Sequence, residues 1–263
     1  MFRTFHYIAS LVLVFSFAPA GKLALANEPV NSIPITLQGL KRDAHLIGTR
    51  QYLVYMEDIE TGVFQHQSVW TRTSQLVERQ GEQLIETRQK WVSSTPNWNK
   101  ELYSLNRISD FSPVLHQTWH GPDRRVSAYR FSPEAVLGDA SIDGNSKQGF
   151  SMPAKGRTLN FELDMEAFAL LPYRVGDTYL VNFYHPGSPS APQDYAYTVT
   201  REDTLEDSQG TIHDCWVLHV TYEGHGYADF WIDKSSRLVL KMVEEYDTSR
   251  RYKVLLGYPM KAS

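Results

Sequence analysis

Three side chains able to hold a soft divalent metal fall on odd-numbered positions of one short run: His213, Cys215 and His219. Imidazole nitrogen and thiolate sulfur are good ligands for zinc or copper, and His225 and Asp229 follow closely. In an extended chain the three share one face, but i and i+2 neighbours stand roughly 6–7 Å apart. A third ligand must therefore come from an adjacent strand. The plainer reading makes Cys215 a small packed residue between solvent-facing histidines. His116 and His120 also share a face, but at i and i+4 they stand roughly 13 Å apart and cannot hold one ion as a local pair.

Other catalytic patterns are weak. No G-x-S-x-G run marks a nucleophile on a sharp turn, and Ser146 within Gly144-Asn145-Ser146-Lys147 is its nearest imitation. Gly224-His225-Gly226 lacks the third glycine and the following helix of a phosphate loop. A paired-acid hydrolase needs two carboxyls facing each other about 5–10 Å apart. Asp164 and Glu166, or Glu244 and Glu245, supply the groups, but Asp164 reads better as a helix cap and the Glu pair as a solvated strand end.

Aromatic residues offer the remaining chemistry. Trp70, Trp91, Trp98, Trp119, Trp216 and Trp231 are spread over many segments, so a curved sheet would bring several to one concave surface able to bind acyl chains or sugars. Trp70, Trp91, Trp119 and Trp231 are the candidate ligand-binding residues. The competing reading has these rings filling the core of a large sheet.

The N-terminus points to export. Arg3 gives a positive n-region, Tyr7 to Phe17 an apolar h-region, and Ala24-Leu25-Ala26 a small-x-small cleavage site, so residues 1–26 read as a signal peptide and the mature chain starts at Asn27. Pro19, Gly21 and Lys22 interrupt the apolar run, which is too short to span a membrane. The expected location is a periplasm, and no transmembrane anchor is expected in the mature chain. Arg3 and Lys22 leave with the peptide, so the 26 basic residues fall to 24 against an unchanged 30 acids, a net −6. A chain of that charge has no electrostatic reason to bind nucleic acid. Cys215 is the sole cysteine, so no internal disulfide forms in an oxidising compartment. No cofactor is expected.

The elements that must position these groups are strands. From 211 to 222, Ile212, Asp214, Trp216, Leu218, Val220 and Tyr222 take one face, while Thr211, His213, Cys215, Val217, His219 and Thr221 take the other. The runs around Ala228–Ile232 and Leu238–Met242 continue the alternation across a tight turn at Asp233–Ser236. Hairpins are also expected from Arg50–Ile59 with Val63–Thr73, Gln75–Arg79 with Gln83–Ser93, and Val114–His120 with Arg125–Phe131. Tyr179–His185 and Tyr195–Arg201 flank Pro186–Pro192, read as a mobile surface loop. Asp164–Leu171 reads as a short helix closed by Pro172, Pro133–Leu137 as a weaker one, and 139–153 as a long loop. The mature chain reads as a single β-rich domain, with any sub-division near 138–156.

Leu163-Asp164-Met165-Glu166, Leu171-Pro172-Tyr173-Arg174-Val175-Gly176-Asp177, Cys215-Trp216-Val217-Leu218, Phe230-Trp231-Ile232-Asp233-Lys234 and Leu238-Val239-Leu240-Lys241-Met242 occur in an order that resembles the exported bacterial domain-of-unknown-function family numbered 3108. The resemblance covers roughly residues 160–247. It implies a strongly curved antiparallel sheet or incomplete barrel with one short helix, similar to periplasmic lipoprotein carriers, and no established activity. The expected role is non-catalytic: binding or carrying a lipid or other hydrophobic envelope ligand, or joining an envelope protein partner in an assembly. The alternative is a metal-dependent or acid/base hydrolase acting on cell-wall or lipid substrate.

Overall fold

The computed structural model describes residues 47–257 apart from 155, 208, 223 and 225. The signal peptide expected at 1–26, the start at Asn27 and His225 lie outside the described residues.

The chain meanders twice. In the first half β1 (Gly48–Asp58), β2 (Phe64–Arg79), β3 (Glu82–Ser93), β4 (Lys100–Arg107), β5 (Pro113–His120), β6 (Arg125–Phe131), β7 (Ala135–Gly138) and β8 (Ser151–Pro153) pair in order, each antiparallel to the last. After the short β9 (Leu159–Asn160) and the buried segment described below, the second half lays down β10 (Thr178–Tyr184), β11 (Gln193–Glu206), β12 (Ile212–Tyr222), β13 (Gly226–Asp233), β14 (Val239–Tyr246) and β15 (Ser249–Leu256). β15 pairs with β1, joining both meanders into one sheet of fifteen strands with β8 and β9 at its edges. All pairings are antiparallel except the two-residue match of β9 with β10. Bulges at Val54/Met56, Leu105/Asn106, Val199/Arg201 and Trp231/Ile232 bend the strands, as an unpaired extra residue does.

The alternation along 211–222 emerges as read: Leu218 and Val220 join the main core while Cys215 and Val217 pack on the opposite face. Two expectations are corrected. Pro133–Leu137 is not helical, because Ala135–Gly138 pairs with β6 and the ladder outweighs the helix propensity of Glu, Ala and Leu. Asp164 is not the N-cap but the first residue of the helix α1 (Asp164–Phe168), its carboxylate accepting from the Met165 amide.

That helix, with the 3-10 turn Phe161–Leu163 ahead of it and Ala169–Leu171 after it, crosses the inside of the curved sheet. Leu163, Met165, Phe168 and Leu171 pack there on Tyr179, Phe183, Tyr197 and Phe230. Among the described residues no strand pairing closes the sheet. Its two limbs meet through side chains: Tyr129, Phe131 and Val136 pack on Tyr184 with Phe150 and Met152, and Asn160 of β9 donates to His116 Nδ1 of β5 at 3.1 Å.

Candidate functional site

Inside the curve lies a cavity of about 1600 Å³. Its wall follows from strand register. Tyr52 of β1 pairs with Trp70, Trp70 with Trp91, Trp91 with Lys100, Lys100 with His120, and His120 with Arg125. Partners in register point the same way, so these six side chains form one row across six strands of the inner face. At roughly 4.8 Å per strand the row spans about 24 Å of wall, aromatic at one end and cationic at the other.

The aromatic end is tightly organised. Trp70 and Trp91 stack with ring centroids 3.6 Å apart and planes 5° from parallel. Lys253 lies over the outer face of Trp70 at 5.0 Å and Lys100 over that of Trp91 at 4.9 Å. Each ammonium sits where the ring quadrupole attracts it. The indole N–H groups are also engaged, with Ser68 at 3.0 Å and Gln89 at 3.1 Å. The paired rings therefore offer edges, not open faces, to the cavity.

Below them Arg72, 2% exposed, donates through Nε to Glu166 Oε1 at 2.9 Å and through Nη2 to the Glu162 carbonyl at 2.9 Å and the other Glu166 oxygen. Burial works against its charge, but the field and hydrogen bonds of Glu166 outweigh burial and hold the guanidinium above its ordinary value. Lys253 is 3.8 Å from Asp164, and burial draws its ammonium down. Burial alone would raise the Glu162 carboxyl, yet neighbouring positive charge, Lys100 foremost and Arg72 with it, holds it below the usual range. Glu162 is thus an ionised carboxylate in the cavity, set there by Asn160, whose side chain accepts from the Glu162 amide at 3.0 Å and caps the 3-10 turn.

His116 anchors that cap. Ser104 Oγ and the Asn160 amide lie 2.9 and 3.1 Å from Nδ1, and Thr118 Oγ1 lies 3.0 Å from Nε2. An amide donor at Nδ1 requires a lone pair there, so the ring is neutral with its proton on Nε2. Burial pushes its pKa down to about 4. His120, facing the cavity two residues on from Thr118, is pushed to about 4 by burial and by Lys100 and Arg125.

The residues singled out from sequence separate by face. Trp70 and Trp91 line the cavity, joined at its wall by Trp98, which stacks on His66 at 4.2 Å. Trp119 lies on the outer face, in a shallow depression with Thr71, Thr73 and Tyr103. Trp231 is also turned outward, packed on Cys215, Val217, Leu238 and Leu240 and donating to Asp203 at 2.9 Å. Trp216 stacks on Tyr173 at 4.9 Å. His213 contacts Asp207 at 3.1 Å, and His219 contacts Asp229 at 2.7 Å and Thr221 at 3.0 Å. Cys215 lies between them fully buried, its thiol pushed up to about 12 by burial. Among the described residues no three His, Cys, Asp or Glu side chains are placed to hold a metal. Asp164 and Glu244 both reach the cavity, occupied by Lys253 and Arg251. Ser146 donates to the Val126 carbonyl at 2.7 Å, as a structural hydroxyl does.

Sequence reasoning passed over Lys100, Arg125, Lys147, Glu162, Arg72 and Lys253. A signal for two of the row was present, because His120 and Arg125 bracket the four-residue turn Gly121–Arg124 and must pair if it closes a hairpin.

The family model of a protein of unknown function, DUF3108, matches residues 51–254. The chain belongs to the DUF3108 family. The match takes in the first meander, where sequence reading found no family motif, so the β1–β6 cavity wall falls within the DUF3108 domain. Two solved structures are similar to this DUF3108 protein. A β-barrel-like protein of the domain of unknown function DUF1849 from Brucella abortus is 9% identical, with TM-score 0.48 over 81% of this chain and 98% of that one. A DUF1329 family protein from Desulfovibrio piger is 11% identical, with TM-score 0.33 over 82% and 86%. No curated protein matches the chain in sequence. Among the described residues no helix is long and apolar enough to cross a membrane.

Proposed function

We propose that this DUF3108 protein is a non-catalytic carrier that holds an amphiphilic envelope ligand inside its curved sheet, after export through the signal peptide at 1–26. One observation carries the reading: a cavity of about 1600 Å³ whose wall changes from stacked indoles to cations along a single strand register. Cavities that take drug-sized molecules run to roughly 300–1000 Å³, so this one has room for a longer chain. Ionised groups inside it favour a ligand with both an apolar and a polar part over a plain hydrocarbon, since a buried charge needs a partner. The titratable groups support binding over hydrolysis, because Asp164 and Glu244 are already engaged by cations.

Native mass spectrometry of the protein purified from its own cell envelope, without added ligand, tests this. A lipid-sized increment on a chain beginning at Asn27 is expected. A bare chain mass under the same gentle conditions counts against a carrier, and a chain retaining residues 1–26 counts against the export step.

A further inference from the structure

The cationic end of the row has a composition that the carrier reading does not by itself require. Lys100 and Arg125 flank His120 on adjacent strands. Lys147 joins them from the loop after β7, and all four line the cavity. The loop is fixed by Asn145, whose side chain accepts from the amides of Ala128 and Lys147 and donates to the carbonyls of Ala128 and Asp139, each at 2.9 Å. The Ser146 amide adds a bond to the Val126 carbonyl at 2.9 Å, so Lys147 is held beside the start of β6. Gly138 completes the support: a Cβ there would stand 1.6 Å from the Lys147 carbonyl oxygen.

Elsewhere in the cavity cations are matched, Arg72 with Glu166, Arg251 with Glu244 and Lys253 with Asp164. Among the described residues no carboxylate forms an ion pair with Lys100, Arg125 or Lys147. Glu162 acts on Lys100 and His120 without forming an ion pair and offsets part of this charge, so three cations around a neutral histidine keep a positive surplus and repel one another unless a further anion joins them. Burial and these same cations are what depress His120.

We infer that Lys100, Arg125 and Lys147 form the seat for an oxyanion, a phosphate-type group, at the head of the ligand whose apolar part lies along the cavity. The inference rests on the carrier reading. The Arg125 fork suits paired oxygens and the two ammonium groups act as point charges, while Ser127 supplies a nearby hydroxyl on the same wall.

The test is calorimetric titration of the mature protein with three probes: monomeric dihexanoyl phosphatidylglycerol, dihexanoyl phosphatidylcholine and sodium phosphate. The phosphatidylglycerol is expected to bind about tenfold more tightly than the choline lipid, whose phosphate is masked by its own cation. Lys100→Gln and Arg125→Gln are each expected to remove most of that difference and flatten its salt dependence, with the choline lipid affected far less. The outward-facing Lys90→Gln should leave all three titrations as they were. Equal binding of both lipids, indifferent to either variant, overturns the seat and leaves the carrier reading standing. Failure of both lipids to bind overturns the two together. Free phosphate binding as tightly as the anionic lipid supports the seat but assigns it to a free anion, not a headgroup. Lys100→Gln also gives up the ammonium contact with the Trp91 ring, so circular dichroism checks that its fold is kept, whereas Arg125→Gln, outside any ion pair among the described residues, should melt with the parent protein.

Discussion

Acidification should destabilise this protein, in part through His116, before most carboxylates are protonated. The ring is 1% exposed and bound on both nitrogens, and burial holds its pKa near 4 against 6.5 in a free chain. Between those values the unfolded chain takes up a proton that the fold refuses, so the unfolded state binds more protons and stability falls as pH falls. From 6.5 and about 4, the loss between pH 7 and pH 5 is about 2 kcal/mol from this residue alone. Further acidification extends it through pH 4, and the contribution levels off about one unit below that. Urea denaturation of the parent and of His116→Gln at pH 7, 6 and 5 measures it. The variant should start less stable, having lost part of the Ser104–Asn160–Thr118 network, but its stability should fall by about 2 kcal/mol less over that range. Parallel pH profiles for the two proteins would refute the reasoning, because no other residue is changed.

Arg72→Met should cost about 3–5 kcal/mol by stranding Glu166 in the core, whereas Arg72→Met with Glu166→Leu should recover much of that, as a double-mutant cycle in urea would show. Cys215 should be inert to Ellman's reagent in the folded protein and react at once in guanidinium, since its thiol is buried and pushed up to about 12. Gly138→Ala drives a Cβ into a backbone carbonyl and should shift the loop carrying Lys147. The expected loss is about 1–3 kcal/mol of stability, together with weakened phosphatidylglycerol binding in the same titrations.

The architecture was legible wherever polarity alternated cleanly. The strand 212–222 announced both of its faces, and the Asp233–Ser236 turn its hairpin, where one Asp233 oxygen collects the Ser236 amide and the hydroxyls of Ser235 and Ser236. β4 and β15 were missed for one reason. Lys100 in the first, and Arg251 and Lys253 in the second, point into the cavity, so the inner face does not read as apolar. The same inversion hid the cationic half of the wall. Tryptophan alone could not separate Trp70 and Trp91 from Trp119 and Trp231, because a shift of one residue along a strand exchanges the faces. That parity becomes visible only when the pairing of neighbouring strands is known.

A fully laddered barrel has its girth set by strand number and stagger, and cannot widen without breaking hydrogen bonds along a whole register. Here one line around the wall is a clasp of side chains: Tyr129, Phe131 and Val136 against Tyr184, with the His116–Asn160 contact beside it. Each ring contact along that line is worth about 0.5–1.5 kcal/mol beyond its buried area, and parting it breaks no strand pairing. Under the proposed carrier role, this is the line at which the bore would widen for a thicker ligand without altering the register that places the six-residue row.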